Sequence, residues 1–120
     1  MMILEQKSIE RLNSLLKLPA TGFEQDWDIE LSDHRRIDEF VDVYSNYHDL
    51  SSSDKRALMA LIISSCEDAI NDNLLCDDLW KKVGNILTQD RELHLDLIDY
   101  WSHQSSSDAC FQISKYLHVV

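Results

Sequence analysis

The side chains of this sequence that could do chemistry are mostly carboxylates. There are 22 Asp and Glu residues against 11 Lys and Arg in 120 residues, a formal net charge of −11. They come in groups. Glu24, Asp26, Asp28 and Glu30 flank Trp27, and Glu67, Asp68 and Asp72 are followed closely by Asp77 and Asp78. Glu92, Asp96, Asp99 and His103 recur at helical spacing, which would set them on one narrow stripe. Carboxylates packed this way repel one another unless a cationic surface relieves them. They read either as an ordinary solvated face or as a partner surface; a partner, if there is one, should be basic, with association steered by a single-sign field that weakens in salt. Of the 22 acids, 15 are Asp, a poorer helix former than Glu, and a face serving solubility alone would use Glu more often.

Other chemistries find little footing. Nucleophilic catalysis needs a Ser or Cys beside a base that a third group orients, and no Gly-x-Ser-x-Gly elbow occurs. With 2 Gly the chain cannot build a phosphate-cradling loop. His34, His48, His94, His103 and His118 show no His-x-x-x-His spacing, and Cys66, Cys76 and Cys110 form no Cys-x-x-Cys pair. Asp99 with His103 is the pairing most open to a metal, and Asp26 with Asp28, or Asp38 with Asp42, to acid–base work. Chance supplies such pairs on acidic faces, so the sequence predicts no enzyme and no cofactor. The acidic balance also disfavours direct nucleic-acid binding, which needs clustered Lys and Arg. The Ser-Ser-Ser-Asp runs at 51–54 and 105–108 read as helix punctuation and caps.

The elements that must carry these groups are helical. One domain spanning 1–120 is expected, with an N-terminal helix and an acidic aromatic connector over 1–32 and a helical array over 33–120. Periodicity predicts a first helix over about 4–18, stopped by Pro19 and Gly22. Over 20–32, Phe23, Trp27, Ile29 and Leu31 partly alternate with acids, the pattern of a loop packed by its aromatics, with a short strand as the alternative. Asp33 caps a second helix near 34–48. A third, 54–71, is apolar over roughly 200° of its wheel, so it should meet neighbours on more than one side. A fourth follows near 73–89, a broad fifth near 90–103 and a last near 107–118. The class is all-α, with five to six helices in a HEAT-like layered stack or an irregular bundle. Trp27 is either core or a partner anchor, and Trp80 faces inward.

The longest apolar run, residues 58–63, is far too short to span a membrane, and the N-terminus turns charged at Glu5 before a signal-peptide core develops. Three widely spaced cysteines suit buried free thiols in a reducing cytoplasm.

The stretch from Leu79-Trp80 through Ile86-Leu87-Thr88-Gln89-Asp90-Arg91-Glu92-Leu93-His94 to Leu97-Ile98-Asp99-Tyr100-Trp101-Ser102 resembles, in type, bacterial immunity proteins that neutralise contact-dependent or polymorphic toxins. The likeness covers about residues 35–118 and rests on no diagnostic motif. It implies an acidic face, monomeric in the complex, that covers the basic substrate cleft of a cognate toxin domain, a nuclease for example. Glu67, Asp68, Asp72, Asp77 and Asp78 are the preferred contact site. Glu92, Asp96 and Asp99 are a second edge, and Asp26, Trp27 and Asp28 a third. The alternatives are a helical adaptor or chaperone for another bacterial protein, which would expose a more apolar patch, and an enzyme or DNA-mimic regulator.

Overall fold

Capping chemistry sets the start of the central helix and of the turn at residue 34 in the computed structural model, which describes residues 4–22, 24–75 and 77–102. Helix α1, Gln6–Leu15, stops before Pro19 is reached. Lys17 takes a left-handed φ of 51°, and the Leu18 N–H turns back to the Asn13 carbonyl at 3.0 Å, closing the helix locally. The connector then forms a single helical turn, α2, Trp27–Glu30, where a loop or short strand was expected. Its reason is local: the Asp26 carbonyl accepts from Ile29 and Glu30 N–H groups at 3.0 and 2.8 Å, while the Glu30 carboxylate accepts the Asp26 N–H at 2.9 Å. Those bonds outweigh the alternating pattern.

Asp33 is a cap, as expected. Its carboxylate accepts the Arg35 N–H at 3.0 Å and opens a 3-10 turn, His34–Arg36, that runs into α3, Ile37–Asn46. Helix α4, Ser52–Asn71, begins with a capping box. The Ser51 hydroxyl accepts the Asp54 N–H at 3.0 Å, and the Asp54 carboxylate accepts the Ser51 N–H at 3.1 Å. It ends with Asn73 at φ 58°, the Asn73 N–H on the Ile70 carbonyl and the Leu74 N–H on the Ala69 carbonyl. That closure occupies 73–74, so α5 spans Asp77–Gln89 rather than beginning near 73. A 3-10 turn, Arg91–His94, leads into α6, Leu95–Ser102, where one continuous helix was expected. The predicted last helix, 107–118, lies outside the described residues.

Among the described residues there are six α-helices and no strand, so the class is all-α. Helix α4 is the axis of a bundle rather than one layer of a stack: α1, α2, α3 and both 3-10 turns pack on it. Every residue from 57 to 66 is buried, which is the outcome of its wide apolar arc. Leu12, Trp27, Ile37, Phe40, Leu87 and Trp101 complete one contiguous core around it. Helix α5 turns Val83 and Leu87 inward and leaves Trp80 half-buried. Helix α6 buries Leu97, Ile98 and Trp101, but Leu95 and Tyr100 stay exposed, so its apolar arc is less used than its breadth predicts. Cys66 is a buried free thiol whose pKa burial pushes up to about 12. Cys76 and Cys110 lie outside the described residues. Among the described residues no helix is long and apolar enough to cross a membrane.

Candidate functional site

The connector's acids divide between core and surface. Trp27 is only 3% exposed, and its indole Nε1–H donates to Asn13 Oδ1 at 2.8 Å, pinning α2 to α1. Asp28, 5% exposed, accepts the Ser64 Oγ–H at 3.1 Å from the central helix. Burial holds its carboxyl above the ordinary 3.8, against the pull of Ser64, and the neighbouring Asp26 charge adds to the rise. Trp27 and Asp28 are therefore corrected from partner contacts to internal fastenings. An indole with its N–H satisfied buries a large apolar area, and a carboxylate with a hydroxyl donor can follow it inside.

Asp26, Ile29 and Glu30 stay outside, with Ile29 44% exposed. Glu24 folds back on the turn at Gly22, whose φ is +89°, by accepting the Thr21 hydroxyl at 2.6 Å and the Thr21 N–H at 2.7 Å. These bonds, the Thr21 hydroxyl's first, hold its carboxyl below the usual range. Leu4, Ile9, Glu24, Asp26, Ile29 and Tyr100 border a cleft of about 450 Å³, with the Asp28 edge in its wall.

A second cleft, about 310 Å³, lies on the other side of Ile29 and is lined by Ser64, Glu67, Asp68, Asn71 and Trp101. Ile29 belongs to both. The connector acids and the acids at the end of α4, far apart in sequence, thus flank one apolar residue.

The expected five-acid junction separates into two unlike groups. Asp77 and Asp78 form the first turn of α5, where the helix dipole favours negative charge, so their placement has an ordinary stabilising reason. Glu67, Asp68 and Asp72 occupy the opposite kind of position. They crowd the C-terminal end of the 20-residue α4, whose last turn holds no basic residue, and there the dipole disfavours them. Asp68 and Asp72 are met by His34: its Nδ1 lies 2.9 Å from Asp68 Oδ2 and 3.9 Å from Asp72 Oδ2.

The stripe on the fifth helix does not form as expected. Glu92 sits in the 3-10 turn, where about 120° per residue replaces 100°, so it loses register with Asp96 and Asp99. Asp96 is held by Arg56 through both guanidinium nitrogens, one at 2.7 Å, and the same arginine donates to the Leu93 carbonyl at 3.1 Å. The Arg56 hydrogen bonds keep the Asp96 carboxyl below the usual carboxylate range. Asp96 is thus a tie between α4 and α6. Asp99 is exposed, and His103 lies outside the described residues.

Two groupings escaped the sequence reading. One is His34 with Asp68 and Asp72, joined across more than thirty positions by the docking of the Asp33 turn on α4. The other is buried: the Tyr44 hydroxyl lies 2.7 Å from Asp90 Oδ2 and 2.7 Å from His94 Nε2. Burial pushes the His94 pKa down to about 4, so the ring is neutral and its Nε2–H donates to the tyrosine, which donates in turn to Asp90. His94 Nδ1 has no hydrogen-bond partner among the described residues. No spacing rule links His34 to Asp68 and Asp72, or Tyr44 to Asp90 and His94; only the fold could reveal them.

No family model matches the chain, and no curated protein or solved structure matches it either.

Proposed function

We propose that this is an acidic binding protein that neutralises a basic toxin domain, a nuclease by the logic of charge, by covering its active or substrate-binding site. The observation that carries the reading is Ile29. It stands exposed between two clefts, with Asp26 and Glu24 on one side and Glu67 and Asp68 on the other. An apolar centre rimmed by charge of one sign is the anatomy of a surface that anchors by burial and selects by electrostatics. A phosphate-binding cleft has the complementary lining, and carboxylates can stand where phosphates would. The acids at the end of α4, which the helix dipole disfavours, support the same reading. The type resemblance to toxin-immunity proteins points the same way.

An adaptor or chaperone role is the second reading. Leu74, Leu95 and Tyr100, each more than a third exposed, offer apolar surface that a less basic partner could use.

The test is capture of the tagged protein from its native cells along a salt gradient, beside an Asp26→Lys, Ile29→Lys double variant of equal thermal stability. A single basic protein, held in equal amount by the native chain and lost from the variant, supports the proposal. It should be released by salt and should cleave nucleic acid only once freed. Retention by the variant, or a partner indifferent to salt, favours the adaptor reading instead.

A further inference from the structure

We propose that His34, Asp68 and Asp72 form a binding site for a divalent transition-metal ion, zinc before manganese or magnesium. The inference concerns the isolated chain and stands apart from the partner reading.

The three side chains come from two elements whose docking is fixed elsewhere. The Asp33 N–H donates to Ser65 Oγ at 3.0 Å in the body of α4, and the Asp33 carboxylate caps the turn that presents His34. Asp68 and Asp72 are one helical turn apart, so both carboxylates rise on the face that receives the imidazole. One donor atom from each of the three residues falls within 4.8 Å of the other two. A tetrahedral ion with bonds of about 2.0–2.1 Å sets its donors about 3.3–3.4 Å apart. The Nδ1 separations of 2.9 and 3.9 Å from the two carboxylates lie on either side of that value. Small side-chain rotations would close the site without moving backbone.

Chemistry and electrostatics agree with the geometry. One imidazole nitrogen and two carboxylates is a mixed donor set that suits zinc, and three protein ligands leave a fourth position for water. A dication would neutralise both carboxylates and the negative end of the α4 dipole, where the sequence supplies no Lys or Arg. Entry is open: the His34, Asp68 and Asp72 side chains are 25%, 41% and 56% exposed. Hydrogen bonds from the His34 ring and backbone N–H account for Asp68, at 2.9 and 3.4 Å, but Asp72, at 3.9 Å, is beyond hydrogen-bond reach of the imidazole.

Calorimetric titration of the full-length protein with zinc chloride, in a buffer that does not chelate, tests this. Binding of one ion is expected, weakened at least about tenfold in Asp72→Asn and in His34→Gln and unchanged in Asp78→Asn. His34→Gln keeps a polar contact to Asp68 but supplies no imidazole nitrogen, and circular dichroism confirms that each variant is folded. Cobalt substitution gives a second readout, a visible spectrum without thiolate charge-transfer bands. Zinc binding that survives both substitutions, a thiolate spectrum, or the absence of saturable binding overturns the proposal.

Discussion

The two ends of α4 use the same acidic residue type in opposite ways. At the N-terminal end Asp54 is nearly buried, caps the helix, accepts the Ser8 hydroxyl at 2.7 Å and meets Arg11 at 3.2 Å. Burial resists its ionisation, but Ser8, Ser51 and Arg11 together outweigh that and hold the carboxyl below its ordinary value. Near the same end Arg56 clamps Asp96, and Lys55 lies over the Tyr44 ring. Each carboxylate there has a donor, a cation or a favourable dipole. At the C-terminal end Glu67, Asp68 and Asp72 face an adverse dipole, and the residue that meets Asp68 and Asp72 is a histidine. Negative charge at the first end holds the fold together. At the second the helix dipole disfavours it, which fits the binding role proposed above.

That contrast can be broken by experiment. The largest effect expected is the acid sensitivity of the N-terminal end. The His94 imidazole ordinarily titrates near 6.5, and in the fold near 4. Between those values the unfolded chain binds the extra proton, so stability is complete above pH 6.5 and falls as pH falls, by about 3 kcal/mol in all. Asp54 and Asp96, held low by their partners, keep contributing until about pH 4 and lose that contribution below it. Urea denaturation of the native chain and His94→Gln across pH 7 to 4 checks this, the variant giving the flatter profile. A native profile flat over that range would mean that His94 takes up its proton inside the fold at little cost.

Next in size, Asp54→Ala removes a cap and strands the buried Ser8 hydroxyl, with an expected loss of about 2–3 kcal/mol. A loss under about 0.5 kcal/mol in the same denaturation assay would erase the difference between the two ends. The smallest effect is the most diagnostic. Asp72→Arg replaces an anion with a cation at a helix C-terminus, so it should raise stability by about 0.3–1 kcal/mol. A substitution that stabilises the fold while weakening partner capture would locate function at this end, and destabilisation would make Asp72 a structural residue like Asp54.

Much of the fold was legible in order along the chain. The caps at Ser51 and Asp33, the stop after Asn71 and the many-sided apolar face of α4 all depend on residues within a turn of each other, and local chemistry decides them. The turn at 27–30 and the break at 91–94 were misread because backbone bonds, invisible in hydrophobic alternation, settled them. The acids were legible as groups, but not their fates. Trp27 and Asp28 went inside because Asn13 and Ser64 were waiting there, and Asp96 was taken by Arg56.

The sequence by itself determined a helical chain with one broadly apolar helix and a strong excess of negative charge, because helix periodicity and composition are properties of neighbours. Only the tertiary structure decided which carboxylates became fastenings and which stood together at the end of α4 beside His34 and Ile29. That choice rests on which groups the packing of α1, α2 and the Asp33 turn brings within about 4 Å of one another, where desolvation and pairing are decided.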